Sequence, residues 1–280
     1  MVLFPNCKIN LGLNVIQKRT DGYHDLETVF YPIDINDAVE IIENNETADP
    51  IQFSVTGRSI GGNPTDNLCV KAWELIKKDF PELPPAWMHL HKTIPTGSGL
   101  GGGSADGAFT LKLLDQKFDL KLSKEKLIEY ALQLGSDAPF FIINKPSFAT
   151  GRGEVIEPIE LDLSSYNLVI VCPEIHINTS EAFSSLITVS KSKSISKIIN
   201  IPIDLWKKEL KNDFETPVFK KHFEIKNIKD RLYELGAIYA SMSGSGSSVF
   251  GIFEKNKTVN FSFPSNYFIK VLPGKEKQIV

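Results

Sequence analysis

The segment Pro95-Thr96-Gly97-Ser98-Gly99-Leu100-Gly101-Gly102-Gly103-Ser104-Ala105 holds five glycines in eleven residues. Glycine has no Cβ, so such a run lets the backbone take positive φ and come close to a ligand. Strand-like sequence precedes the run and helical sequence follows it. Successive N–H groups ahead of a helix N-terminus form an anion site, and phosphate is the usual anion. Ser104 is placed to be the N-cap of that helix. The P-loop pattern needs a lysine directly after its glycines, and none follows here. The protein-kinase set needs H-R-D and D-F-G further on, and neither occurs. The dinucleotide pattern G-x-G-x-x-G fits Gly97, Gly99 and Gly102. It also needs an acid at a strand end about 20 residues on. Asp119 has that offset but lies in a polar link between two helices, so the dinucleotide reading is rejected. A surface loop that binds nothing is the plain alternative, and the helix behind the loop favours phosphate.

Two further residues have the chemistry to act on such a phosphate. Asp137 sits in Gly135-Ser136-Asp137-Ala138-Pro139, which by itself reads as an ordinary turn or cap. Lys8 lies in an early strand, where an edge lysine is the default. An interior lysine beside a carboxylate would be different. The pair could hold a substrate hydroxyl, with the carboxylate taking its proton and the ammonium spreading the developing charge. Asp21-Gly22-Tyr23-His24 is a turn by composition. Tyr23 offers a stacking face and His24 a ring hydrogen bond, both of use to a nucleobase. A turn whose aromatic covers the core is the alternative, and the residues alone leave the two open. His89 and His91 alternate on one strand at a metal-like spacing, but no third ligand is in view, so two strand histidines are favoured. Ser243-Gly244-Ser245-Gly246-Ser247-Ser248 reads as a second close-approach loop or a bulged turn.

The elements that must position these groups follow from periodicity. Strands are predicted over 8–15, 26–33, 37–42, 52–56 and 87–92, with a loop over 17–25. Helices are predicted over 66–80 and 105–118, the second with Ala108, Leu111, Leu114 and Phe118 along one side. Ser123 caps a third, with Leu127, Ile128, Ala131 and Leu132 on one face and Gly135 at its end. Strands then return at 155–163 and 167–172, a helix at 180–187, two helices between 204 and 235, strand-like sequence over 239–253 and a last strand at 267–272. Strands and helices mix without regular βαβ alternation, which favours an α+β class. A boundary falls near 145–160.

Composition narrows the partners. The chain has 280 residues, 42% of them hydrophobic, enough to bury a core without disulfides or metals. Its 31 basic and 34 acidic residues leave a net charge of -3, without the basic stripe expected of a nucleic-acid binder. Lys191-Ser192-Lys193-Ser194 with Lys197 is diluted by serine and reads as a solvated loop. Cys7, Cys69 and Cys172 are scattered singly, which suits a reducing compartment and argues against structural zinc. Lys8 interrupts the N-terminal apolar run, against a signal peptide. No apolar segment approaches the ~20 residues of a membrane span. A soluble, cytoplasmic protein is expected, as a monomer or weak dimer.

Together these pieces resemble the GHMP kinase superfamily, which includes galactokinase, homoserine kinase and mevalonate kinase. Its signature is a strand, then P-x-x-x-G-L-G-[GS]-[GS]-S, then a helix, and Pro95 to Ala105 fits it closely. Also similar are Lys8-Ile9-Asn10-Leu11, Asp21-Gly22-Tyr23-His24, Gly135-Ser136-Asp137-Ala138-Pro139, Ala149-Thr150-Gly151-Arg152-Gly153, Asn212-Asp213-Phe214-Glu215 and Ser243-Gly244-Ser245-Gly246. They run in the family's order over nearly the whole chain. They are most similar to the branch acting on 4-diphosphocytidyl-2-C-methyl-D-erythritol, in the non-mevalonate route to isopentenyl diphosphate. Cys7 departs from the commoner alanine or serine, Ala105 replaces a frequent second serine, and Ser184 to Ile199 aligns with nothing informative.

The resemblance implies an α+β fold of two domains with the active site in a cleft between them. Residues 1–152 would be ribosomal-protein-S5-like and 153–280 ferredoxin-like. It implies ATP and Mg²⁺, with the phosphates on Pro95 to Ala105 and Ser104 near the metal or the β-phosphate. It implies Lys8 and Asp137 as the catalytic pair on the erythritol 2-hydroxyl, and Tyr23 and His24 on the cytosine with Asn10 nearby. A superfamily member acting on homoserine or mevalonate, or an inactive nucleotide-binding homologue, are the rival readings.

Overall fold

The structure, a computed structural model, describes residues 1–44, 49–186, 193–257 and 262–275. The chain gathers into two compact units that interleave along the sequence. One comprises Met1–Lys8, Pro32–Thr96 and Gly101–Lys145; the other comprises Ile9–Tyr31, Gly97–Leu100 and Pro146–Val280.

The first unit is built on a sheet of strands β1 (Val2–Leu3), β4 (Ala38–Glu43), β6 (Ala86–Lys92) and β5 (Ile51–Gly57), in that order. β5 runs parallel to β6 and the other pairs are antiparallel. Parallel neighbours need a long crossover, and helix α1 (Leu68–Asp79) supplies it, capped by Asn67, whose side chain accepts from the Cys69 N–H. On β6 the period of two buries Ala86, Met88, Leu90 and Lys92 and exposes Trp87 and His91. A lysine is thereby carried onto the core face. Helix α2 (Gly102–Phe118) buries Ala105, Ala108, Leu111 and Leu114. Gly107 lets α2 approach α1 closely, since a Cβ there would lie 2.9 Å from the Cβ of Leu68. Helices α3 (Lys124–Leu134) and α4 (Ala138–Ile143) complete the unit. Ser123 caps α3 as the sequence predicts, and Leu127 and Ala131 are buried on it, but Leu132 faces solvent.

A second sheet runs β2 (Asn6–Lys18), β3 (His24–Asn36), β7 (Ser147–Thr150), β8 (Val155–Pro158). The second unit also holds an antiparallel sheet ordered β10 (Tyr239–Met242), β11 (Val249–Glu254), β9 (Tyr166–Cys172) and β12 (Phe268–Leu272). With it go α5 (Thr179–Ser184), α6 (Ile195–Ile198), α7 (Trp206–Glu209), α8 (Glu215–Lys221) and α9 (Phe223–Glu234). Val169 and Val171 of β9, Phe214, and Ile225, Ile228 and Leu232 of α9 form its core.

The α+β class holds, and several element bounds are corrected. β3 extends to Asn36 because the alternation continues past its polar end, with Ile33 and Ile35 buried and Asp34 exposed. The strand expected over 155–163 stops at Pro158. The two helices expected between 204 and 235 are three, because the backbone breaks at His222, with φ -126° and ψ 76°. The expected helix over 180–187 ends at Ser184, and Ile187, Lys191 and Ser192 lie outside the described residues. None of the described helices is long and apolar enough to cross a membrane.

Candidate active site

In the first unit the lysine at the start of β2 meets the carboxylate ahead of α4. Lys8 Nζ lies 3.3 Å from Asp137 Oδ2, with side-chain exposures of 4% and 36%. The lysine is therefore buried while its partner remains open to a substrate. Asp137 is the residue that precedes α4, with Pro139 in the first turn, and its side chain caps no N–H of that helix. The carboxylate is thus not engaged in the local role that its sequence context suggests.

Gly101 joins this pair to the phosphate loop. A Cβ on Gly101 would lie 3.1 Å from Cε and 3.2 Å from Cγ of Lys8, and 3.0 Å from Phe141. The lysine stem thus rests on the backbone just where α2 begins. Gly101, at φ 71° and ψ 14°, is the N-cap of α2. This corrects the expectation for Ser104, which lies inside the first turn and is partly exposed. Left-handed backbone at Gly101 turns the chain into the helix three residues earlier than a serine cap would. Gly103 beside Ser104 is open, with nothing within 4 Å of a Cβ built there. The free N–H groups and the dipole of this end favour an anion.

Directly behind that helix start lies a cluster that the sequence did not reveal. Lys92 Nζ donates to Asp37 Oδ2 and, at 2.7 Å, to Asp106 Oδ2. The three side chains are 1%, 0% and 3% exposed. Asp37 Oδ1 also accepts the N–H groups of Thr93 at 2.5 Å and Ile94 at 2.8 Å, the two residues that lead into Pro95. Asp106 Oδ1 has no hydrogen-bond partner among the described residues. Burial, with Lys92 opposing and the Asp37 charge adding, pushes the Asp106 carboxyl up to about 8. Burial disfavours the Lys92 ammonium, but the two carboxylates outweigh it and its shift is upward. A Cβ on Gly102 would sit 3.0 Å from Lys92 Nζ, so the cluster touches the first residue of α2. Cys7 is buried close by. Burial and the Asp37 charge push its thiol well above the ordinary range, so it serves as a small apolar residue.

The same unit has a cavity of about 540 Å³ at the end of β5, lined by Phe53, Val55, Gly57, Arg58, Ile60 and Asn63 among others. Gly57 pairs with Lys92, and the Arg58 N–H donates to the Lys92 carbonyl at 2.8 Å. The wall of the cavity is therefore fixed to the strand that runs into the phosphate loop. Glycines at 57, 61 and 62 were the only sequence signal for it.

In the second unit, Gly97 and Gly99 have φ of 64° and 80°. Gly99 has no room for a side chain, since a Cβ would lie 2.0 Å from the Ser243 carbonyl oxygen. Ser243 Oγ donates to the Gly99 carbonyl at 2.9 Å and accepts the Asn10 N–H at 3.2 Å, and the Ser248 N–H donates to the Ser98 carbonyl. The glycine-serine run is therefore a close-approach loop that connects β10 and β11. Asn212 holds it by donating to the carbonyls of Met242 and Gly244, both at 2.8 Å, and Glu215 accepts the Met242 N–H. His176 faces Gly97, with Nδ1 2.8 Å from a Cβ built there.

Tyr23 is 54% exposed, and the Arg152 guanidinium lies 4.7 Å from its ring centre. His24 stacks on Phe183, with ring centres 4.8 Å apart and planes at 18°. Burial, then Lys18, lowers the imidazole below its usual range, so its neutral form is favoured. Phe183 joins the candidate base site, although nothing in its surroundings in sequence singled it out. Asn10 is buried and donates to Thr28 Oγ1 at 3.0 Å. His89 and His91 bond to hydroxyls, His89 to Ser54 and Thr56 and His91 to Thr56. Among the described residues no three His, Cys, Asp or Glu gather as a metal cage.

Comparison with known proteins gives two family matches, the GHMP kinases N terminal domain over residues 67–145 and the GHMP kinases C terminal over 194–261. A 4-diphosphocytidyl-2-C-methyl-D-erythritol kinase of Bacteroides fragilis is 51% identical over 259 residues, covering 92% of this chain and 94% of that relative. One of Azobacteroides pseudotrichonymphae is 51% identical over 267 residues, covering 94% and 98%. A crystal structure of 4-(cytidine 5'-diphospho)-2C-methyl-D-erythritol kinase superposes with a TM-score of 0.78 at 29% identity over 90% of each chain. The Methanococcus jannaschii mevalonate kinase superposes with a TM-score of 0.62 at 17% identity over 92% of each chain, a likeness of fold alone.

Proposed function

The chain belongs to the GHMP kinases, and on that premise we propose that it transfers the γ-phosphoryl group of ATP to the 2-hydroxyl of 4-diphosphocytidyl-2-C-methyl-D-erythritol. The observation that carries the reading is the Lys8–Asp137 pair, held at 3.3 Å with the lysine stem against the N-cap of α2. A phosphate on that helix end would lie beside a half-open carboxylate that faces a buried ammonium. Phosphoryl transfer asks mainly for positioning and charge stabilisation. Asp137 accepts the hydroxyl proton as the oxygen attacks, and Lys8 spreads the negative charge that develops between them.

The proposal extends to the remaining groups. The loop from Pro95 to Ala105 holds the phosphates, with the first-turn N–H groups of Gly102, Gly103 and Ser104 as donors. The nucleoside of ATP sits in the cavity beside β5, whose size suits a small ligand. Mg²⁺ keeps several waters and takes few protein oxygens besides phosphate. The partly exposed Ser104 hydroxyl, beside the open Gly103, fits that need. The metal would neutralise charge on the transferring group. Tyr23, His24 and Phe183 hold the cytosine, with Asn10 nearby. The two family matches fall on either side of residue 152, in accord with domains of 1–152 and 153–280. We place the enzyme in the cytoplasm.

A coupled ADP-release assay tests the reading. The cytidyl substrate is expected to turn over, and mevalonate and homoserine are not. Turnover with either of those and none with the cytidyl substrate overturns it. Tyr23→Ala is expected to raise KM for the cytidyl substrate much more than KM for ATP. An equal rise in both removes Tyr23 from the base site.

A further inference from the structure

The turn Thr150-Gly151-Arg152-Gly153 carries no role in the chemistry above, yet it is built with care. Gly151 and Gly153 take φ of 67° and 108°, a backbone that favours glycine. The Gly153 N–H donates to the Thr150 carbonyl at 3.0 Å, and the Gly151 carbonyl accepts the Leu26 N–H at 2.7 Å. The turn is thereby tied to β3 three residues after Tyr23. Glu154 then fixes the arginine between the glycines. Its Oε2 accepts the Arg152 N–H at 2.5 Å and its Oε1 lies 3.4 Å from Nε. The guanidinium that results lies 4.7 Å from the centre of the Tyr23 ring. The backbone of Tyr23 is held as well, by its N–H to Asp21 Oδ1 and its carbonyl to the Arg19 N–H. Tyr23 is otherwise an exposed aromatic on a surface turn. One planar cation against one face orients the ring and leaves the opposite face for a ligand.

We infer that Arg152 is a specificity-determining residue for the nucleobase of the acceptor, acting by holding the Tyr23 ring in the plane on which the base stacks. The inference rests on the proposed seat of the cytosine at Tyr23 and His24. Arg152 is a positioning residue, since it works through the ring. A cation–π contact at an exposed site is worth about 2- to 5-fold in an equilibrium constant. An unheld ring loses that much affinity for the base.

The experiment is a double-mutant cycle on steady-state kinetics of the full chain, with the folding of each variant checked by circular dichroism. Arg152→Gln is expected to raise KM for the cytidyl substrate by about 2- to 5-fold, with kcat and KM for ATP unmoved. Arg152→Lys keeps the charge but not the plane, and is expected to fall between. In Tyr23→Ala, adding Arg152→Gln should raise KM no further, because the ring through which it acts is gone. Full additivity, an equal rise in KM for ATP, or no rise from Arg152→Gln alone overturns the inference. If Tyr23→Ala raises the acceptor KM and Arg152→Gln does not, only the arginine assignment falls. If Tyr23→Ala itself has no effect on it, the base site falls first.

Discussion

Two lysines in the first unit each face carboxylate, and their surroundings differ. Lys92 is dry, held between Asp37 and Asp106, with all three side chains at most 3% exposed. Lys8 is equally buried, but Asp137 is 36% exposed. Buried charges are costly unless fully paired. In the Lys92 cluster the pairing is spent on architecture: Asp37 also fixes the entry to the phosphate loop through Thr93 and Ile94. At Lys8 one side of the pair is open, so a hydroxyl can enter and give up a proton. Openness of the carboxylate, more than burial of the lysine, separates the proposed reacting pair from the supporting one.

The sharpest test of that difference removes one charge from each. Asp137→Asn is expected to cut kcat by a factor of about 10²–10⁴, read in the ADP-release assay on protein shown by circular dichroism to be folded. An unchanged kcat takes the proton-accepting role away from Asp137. Lys92→Met leaves the buried Asp37 carboxylate and the Asp106 carboxyl without their cation. It is expected to lower stability by about 3–5 kcal/mol, read by urea unfolding. A loss below about 1 kcal/mol would mean that water or protonation relieves the cluster, and the contrast with Lys8 would break.

The reach of the sequence follows the same division. The glycine-rich turn into α2 was legible because its signal is local, five glycines within eleven residues. Lys8 and Asp137 were brought together only by the order of several motifs, since alone Asp137 reads as a turn or cap and Lys8 as an edge lysine. The Lys92 cluster was not legible at all. Its members are 55 and 14 residues apart, and a lysine after Ala86 to His91 reads as the end of a strand. Only the pleat, which puts residue 92 on the side of Met88 and Leu90, carries it inward. The N-cap of α2 was misplaced because Gly101 caps from the left-handed region, while the usual signal is a serine in extended backbone.

Adjacent glycines allow each lysine to be approached separately. Gly101→Ala brings a methyl within about 3.1 Å of the Lys8 stem, at a φ of 71° that L-residues rarely take. The displaced ammonium is expected to lower kcat roughly tenfold or more, read in the same assay. Gly102→Ala meets Ile94 Cγ2 at 2.9 Å and Lys92 Nζ at 3.0 Å. Overpacking of that kind costs about 1–3 kcal/mol, and it is expected as lost stability in urea. If both substitutions hit activity and stability alike, the two lysines do not act as separate devices.

A third lysine extends the comparison to burial without a carboxylate. Lys112 on α2 donates to the Phe141 carbonyl at 2.6 Å and lies over the Phe109 ring, 4.6 Å from its centre. Burial, with Lys124 adding, lowers it to about 8 from the ordinary 10.5, the opposite direction to Lys92. The sign of the linkage follows. Between about pH 8 and 10.5 the unfolded chain holds a proton on this group that the folded chain has released, so stability from this site rises with pH across that window. Below about pH 8 both states carry the proton, and the burial penalty is present in full. Discounted for partial exposure, the rise is on the order of 1–2 kcal/mol. Lys112→Met should remove it, so the difference between wild type and variant in urea unfolding shrinks as pH climbs from 8 toward 10. A difference that stays constant over that range means Lys112 is protonated in the folded chain throughout, and then the missing carboxylate is not what sets Lys112 apart from Lys92.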